Sequence, residues 1–158
     1  MSDYRRLRTG VLRIRPEVEV SLQRWRQLRP RSREAGGVLL GTWQEFGQHV
    51  VVSSLTEPMP SDRRTLRGFW RSQAPHQAAI DWAWRDSDHT QTWLGEWHTH
   101  PEDDPSPSAI DRQDWRSHMN EDTADGDALF FVIVGRVHTR VWEARRPWGS
   151  GTRLRVLG

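Results

Sequence analysis

The longest apolar run in this sequence is Ala128 to Val134, far short of the roughly 20 residues a membrane-spanning helix needs. A hydrophobic core must therefore be assembled from short segments spread along the chain. Val11-Leu-Arg-Ile-Arg alternates and reads as a first strand. Val18, Leu22, Trp25 and Leu28 keep helical spacing behind Pro16, which predicts an amphipathic helix over 16–28. Ala35 to Trp43 reads as a buried strand flanked by glycines, and the turn at Glu45-Phe-Gly-Gln leads to a hairpin partner over His49 to Leu55. A polar, arginine-containing loop over 58–67 precedes a short strand at 68–71. A second helix follows over 75–85, with Ile80, Ala83 and Trp84 on one side. Thr92 to His100 is extended and stops at Pro101. Residues 101–107 form a stiff loop, and Ser108 caps a third helix running to about His118. After an acidic loop over 120–127, Ala128–Gly135 and Val137–Glu143 close as a strand pair. The expected architecture is α/β: a single domain, 1–158, with a mixed sheet flanked by about three helices.

Composition excludes several classes. The chain has 158 residues, suited to one domain, and no cysteine. Disulfides, cysteine nucleophiles and thiolate metal sites are ruled out together, so any zinc must be held by histidine and carboxylate. The net charge is only +2, and all 23 cations are arginine. A dedicated nucleic-acid binder is expected to carry a strong one-sided excess. With no apolar leader near Met1, the sequence reads as a soluble, cytoplasmic protein with no membrane partner. Most of the ten tryptophans read as core, one or two per element.

The informative segment is His98-Thr-His100, followed after the Pro101–Pro107 loop by Ser108 and Asp111. Residues two apart on a strand face the same side, so His98 and His100 present two imidazoles together. The loop can turn the chain back and bring Asp111 toward them. Two imidazoles and a carboxylate, with a fourth position open, is the composition of a catalytic zinc site. Zinc lowers the pKa of a water it binds to about 7, but a general base and an oxyanion donor are still required. Ser108 suits the donor role, although Ser-x-x-Asp is equally a helix capping box. The same ligand types also occur in Fe(II) oxygenases. His49, His76, His89, His118 and His138 read as surface or packing residues.

The stretch Glu-Trp-His-Thr-His-Pro … Pro-Ser-Pro-Ser-x-x-Asp resembles the JAMM motif of the JAB/MPN metalloprotease family, whose fold is cytidine-deaminase-like, and Glu34-Ala-Gly-Gly-Val-Leu-Leu-Gly resembles its upstream glutamate strand. The resemblance implies that His98, His100 and Asp111 bind Zn²⁺. It also implies that Glu34 is the general acid/base and that Ser108 stabilises the tetrahedral intermediate of amide or isopeptide hydrolysis. Glu96, on the same side of its strand as His98, is the rival for the base. Phe69 and Trp70 are candidates for the groove that receives a substrate tail as an added strand. Within the family the chain looks like a bacterial subgroup found in CBASS antiphage operons. There the JAMM protein releases a cGAS-like nucleotidyltransferase conjugated through its C-terminus. Bacterial JAMM proteins of other ubiquitin-like or sulfur-carrier pathways, and non-catalytic MPN scaffolds, are the alternatives. The closing Arg-Leu-Arg-Val-Leu-Gly, superficially like a ubiquitin-like tail, is read as coincidence.

Overall fold

The computed structural model describes residues 1–120, 126–146 and 151–158. Most of the expected acidic loop, 121–125, and Trp148 lie outside the described residues. The elements in chain order are β1 (Ser2–Arg5), β2 (Val11–Ile14), α1 (Pro16–Arg24), β3 (Gly36–Gln44), β4 (His49–Leu55), β5 (Arg63–Thr65) and β6 (Gly68–Trp70). They continue with α2 (Gln73–Asp86), β7 (Thr92–Thr99), α3 (Ala109–Met119), β8 (Ala128–Val134), β9 (Thr139–Arg145), β10 (Gly151–Arg153) and β11 (Arg155–Leu157). Among the described residues, nine strands form one mixed sheet in the order β10-β9-β8-β7-β3-β4-β2-β1-β11, and β5 and β6 form a separate hairpin. The expected α/β architecture with three helices is what the chain adopts.

Only Leu154 separates β10 from β11, yet these strands lie at opposite ends of the sheet order. The sheet is therefore rolled until its two edges meet at Leu154, which is buried and donates its N–H to the Val141 carbonyl. The closing Arg-Leu-Arg-Val-Leu-Gly is thus sheet rather than tail, with β11 paired to β1. A buried ion pair, Arg6 Nη2 to Glu143 Oε1 at 2.9 Å, ties the segment after β1 to β9.

β8 explains why the apolar run has no polar alternation: it is buried on both faces. Phe130, Val132 and Val134 join a core cluster with Val18 and Leu22 of α1. Leu129, Phe131 and Ile133 join a second cluster with Trp115 and Met119 of α3, against which Ile80 and Ala83 of α2 pack. Each such side chain contributes about 1.5–3 kcal/mol by leaving water. No helix among the described residues is long and apolar enough to cross a membrane.

Four sequence readings are corrected. The first helix ends at Arg24, not 28, and Leu28 is 67% exposed, because the chain leaves the helix to place Gln27 in the core. The loop over 58–67 contains β5, whose hydrogen bonds to β6 outweigh the polarity of its arginines. Trp84 is exposed beside His89 rather than packed with Ile80 and Ala83. The last predicted strand begins at Thr139 instead of Val137, because the Arg136, Val137 and His138 amides bind the carbonyls of Glu102 and Asp103. β1 was not legible, since only Tyr4 of its four residues is buried.

Candidate metal centre

The geometry starts from β7. Gly95 sits at φ 145°, and a Cβ there would stand 1.8 Å from the Phe130 carbonyl oxygen, so only glycine fits this irregular point of the β3–β7 pairing. Beyond it the strand regains its alternation. His98 pairs in register with Gly36 of β3, and His100 continues the contact with β8 by donating its N–H to Val134 O. Both imidazoles face one side.

α3 supplies the third group. Ser108 N–H donates to Asp111 Oδ2 at 2.7 Å, and Asp111 N–H donates to Ser108 Oγ at 3.0 Å, a complete capping box. The cap and the donor role are compatible. A hydroxyl that accepts through a lone pair keeps its proton for another partner. The capping box also fixes Asp111, whose Oδ1 lies 3.3 Å from His98 Nε2 and whose Oδ2 lies 3.2 Å from His100 Nε2. The two Nε2 atoms are 3.0 Å apart.

A tetrahedral ion with bonds near 2.0–2.1 Å holds its donors about 3.3 Å from one another. Each imidazole stands at that spacing from the other and from one Asp111 oxygen, and one ligand atom from each residue lies within 4.8 Å of the others, so a single cation could take a lone pair from each. The residues therefore fit a divalent metal. Burial opposes ionisation of Asp111, but hydrogen bonds from His100 and His98 outweigh it and hold the carboxyl far below its ordinary range. Burial likewise pulls the His100 imidazole down, and the Asp111 carboxylate overrides it, so the net shift is upward. His100 Nδ1 is buried without a hydrogen bond, and Glu102 Oε1 stands 3.7 Å away.

Glu34 enters from the opposite wall, at the residue before Ala35 and β3. It is 5% exposed. Burial raises its carboxyl to about 7, against the pull of His98 and His100. Its N–H donates to Thr65 O at 2.7 Å and its carbonyl accepts from Arg64 Nε at 2.7 Å, so β5 holds this segment in place. Glu96 differs. Burial would raise the Glu96 pKa, but its carboxylate is taken by Arg71 and by a hydrogen bond with His118 Nε2, and these partners lower it overall. A carboxyl poised near neutrality and one already engaged by Arg71 and His118 are unequal candidates for moving a proton.

The groove over this centre has a volume of about 560 Å³ and brings Glu34, His98, His100, Ser108 and Asp111 together with Phe69 and Trp70. Phe69 lies on Gly36, where a Cβ would come within 2.5 Å of its ring. Trp70 is 44% exposed, with the Arg63 guanidinium 4.6 Å from its ring centre. The acidic residues beside the site are not free in solvent: Asp103 and Asp104 pair with Arg136 and Arg140. Sequence reasoning missed Arg64 and the hairpin that places Glu34. Thr65 and the Phe69-Trp70 pair around a short turn were the available signal.

A rolled mixed sheet with two histidines at the end of one strand and an aspartate in the next helix's first turn defines a class. Residues 19–148 match the family described as prokaryotic homologs of the JAB domain, and the chain belongs to it. It is 40% identical over 123 residues to the CD-NTase/cGAS isopeptidase of Vibrio cholerae serotype O1, covering 78% of this chain and 75% of that protein. It is 30% identical over 112 residues to a Sinorhizobium fredii protein named as a probable metalloprotease, covering 70% of this chain and 65% of that one. The solution structure of a Desulfitobacterium hafniense protein shares the fold, with a TM-score of 0.60 at 18% identity over 90% of this chain and 88% of that one.

Proposed function

We propose that this chain is a zinc-dependent isopeptidase that cleaves the amide bond after the C-terminal residue of a conjugated bacterial protein. The observation that carries the reading is the convergence of His98, His100 and Asp111 beside Glu34, a buried carboxyl raised to about 7. His98, His100 and Asp111 hold the ion. When bound, Zn²⁺ acts as a Lewis acid that lets water attack near neutral pH.

The chain's own residues do the rest. Glu34 accepts a proton from the attacking water as its oxygen bonds to the scissile carbonyl carbon. Ser108 donates its hydroxyl proton as a hydrogen bond to the carbonyl oxygen while that oxygen gains charge. Glu34 then delivers its proton to the leaving nitrogen, and the C–N bond breaks. Phe69 and Trp70 line the path by which the tail reaches these groups.

The conjugated partner is a cGAS-like nucleotidyltransferase of an antiphage (CBASS) system, a reading supported by the 40% identity to the Vibrio cholerae CD-NTase/cGAS isopeptidase. The domain spans 1–158, and the setting is cytoplasmic, in keeping with a chain that uses no disulfide. The test is a panel of fusions joining an amine-bearing reporter to three tails: a nucleotidyltransferase C-terminus, a ubiquitin-like C-terminus and a sulfur-carrier C-terminus. Chelator-sensitive release from the first alone supports the reading. Release from either of the others moves the enzyme to that pathway, and oxygen uptake with Fe²⁺ in place of any cleavage makes it an oxygenase.

A further inference from the structure

Thr99 stands between the two histidines, and strand alternation turns its side chain to the face opposite theirs. On that hidden face it is fully buried and grips the residue next to Glu34 twice. Thr99 N–H donates to Ala35 O at 2.9 Å, and Ala35 N–H donates to Thr99 Oγ1 at 2.9 Å. The Thr99 hydroxyl proton then goes to Gln27 Oε1 at 2.8 Å.

Gln27 is 2% exposed, and both polar atoms of its side chain are hydrogen-bonded. Its Nε2 donates to the Ser32 carbonyl and to the Leu66 carbonyl, each at 3.0 Å. Two carbonyls can only accept, so the amide orientation is fixed. One side chain thereby joins three segments: the histidine strand through Thr99, the approach to Glu34 through Ser32, and the turn of the β5–β6 hairpin through Leu66. These are the two walls of the metal centre and the groove's lip.

We propose that Gln27, acting through Thr99, is a positioning residue that sets the spacing between the Glu34 carboxyl and the His98–His100 pair. This inference rests on the isopeptidase reading of the site. Gln27 touches no reacting atom. It acts because a buried amide with all its hydrogen bonds made has one low-energy position, and the backbone on either side must conform to it. Glu34 has to reach both the attacking water and the leaving nitrogen. A shift on the order of 1 Å in that reach can cost about 100-fold in rate.

The test compares Gln27→Leu, Gln27→Glu, Thr99→Val and Thr99→Ser with the wild type. The readouts are kcat, KM, zinc per chain and hydrogen exchange of the Ala35 amide by NMR without metal or substrate. Gln27→Leu and Thr99→Val are expected to lower kcat by about 10- to 100-fold, with KM changed by less than about twofold and zinc stoichiometry intact. Both should speed Ala35 exchange at least about tenfold. Thr99→Ser, which keeps the hydroxyl, should restore kcat to within about threefold of wild type. Gln27→Glu keeps the acceptor for Thr99 and loses both donors, so it falls between.

A folded Gln27→Leu with wild-type kcat overturns the proposal, as does Thr99→Ser behaving like Thr99→Val. Should Gln27→Leu fail to fold, the Thr99 pair decides. A wild type that cleaves nothing overturns the isopeptidase reading, and Ala35 exchange still decides whether Gln27 holds the two walls together.

Discussion

Two of the imidazole–carboxylate clusters among the described residues, one around His76 and one around His98 and His100, are assembled from the same side-chain types. At His76, Nδ1 meets Thr56 Oγ1 at 2.7 Å and Nε2 meets Asp62 Oδ2 at 2.9 Å. Asp62 also accepts from the Met59 and Ser72 amides. The His76 and Asp62 side chains are sealed from solvent. At the other cluster the donor atoms of His98, His100 and Asp111 crowd one another, one imidazole nitrogen has no hydrogen bond, and the group opens into a groove. A closed polar cluster in which each group has a partner holds the fold, here by pinning the segment before β5 and the start of α2 onto the strand end after β4. A cluster whose lone pairs converge has the arrangement that a divalent cation could satisfy. The arrangement of lone pairs separates the two, not residue type or burial.

Exchanging the two lesions tests that contrast most strongly. His98→Ala should abolish metal uptake and cleavage while leaving the metal-free fold intact. His76→Ala should keep one metal per chain but lower stability by about 3 kcal/mol, because it leaves buried partners unsatisfied. Metal analysis together with denaturant unfolding reads both. If His76→Ala lost metal as completely as His98→Ala, the distinction would collapse.

Glu34→Gln is next in size. It should lower kcat by about 10²- to 10⁴-fold with zinc retained. The same variant carries a stability signature. Burial raises the Glu34 carboxyl from 4.5 to about 7, so the folded chain prefers it protonated. That preference favours the fold fully below pH 4.5 and is lost as pH rises through 7. Metal-free Glu34→Gln should therefore be more stable than wild type at pH 8, by an amount on the order of 2 kcal/mol, with the gap closing toward pH 4.5. Equal melting temperatures at pH 8 would contradict the burial argument.

Smaller effects sharpen the picture. Glu102→Ala removes the carboxylate nearest to His100 Nδ1 and should weaken zinc by about tenfold in chelator competition. Unchanged affinity would mean that solvent serves that nitrogen equally well. Phe69→Ala and Trp70→Ala should raise KM for a tailed substrate several-fold and leave zinc affinity alone. Unaltered kcat/KM would remove both residues from the groove's function.

Much of the candidate site's arrangement was legible because its geometry is local. The period of a strand aligns His98 with His100, and the first turn of a helix ties Ser108 to Asp111. Glu34 was reached by resemblance alone. What brings it to the imidazoles is the antiparallel pairing of Gly36 with His98, a long-range contact that no periodicity announces. The fold followed the same rule. Apolar runs marked β3, β4, β7 and β8, whereas the arginines of 63–67 hid a hairpin and the helical spacing of Leu28 extended a helix past its end. Gln27 and Thr56 escaped notice, and His76 was read only as a surface or packing residue, because a hydrogen bond between residues distant in sequence leaves no pattern in either stretch.

The proposed cleavage needs one divalent ion shared by two imidazoles and an aspartate. Zinc titrated into chelator-stripped wild type and Asp111→Ala, with release of a tailed fusion followed in the same samples, tests it directly. The expected result is one zinc per wild-type chain, cleavage that returns in proportion to zinc bound, and neither in Asp111→Ala. Cleavage that survives complete removal of metal, or equal zinc uptake by the variant, would contradict it.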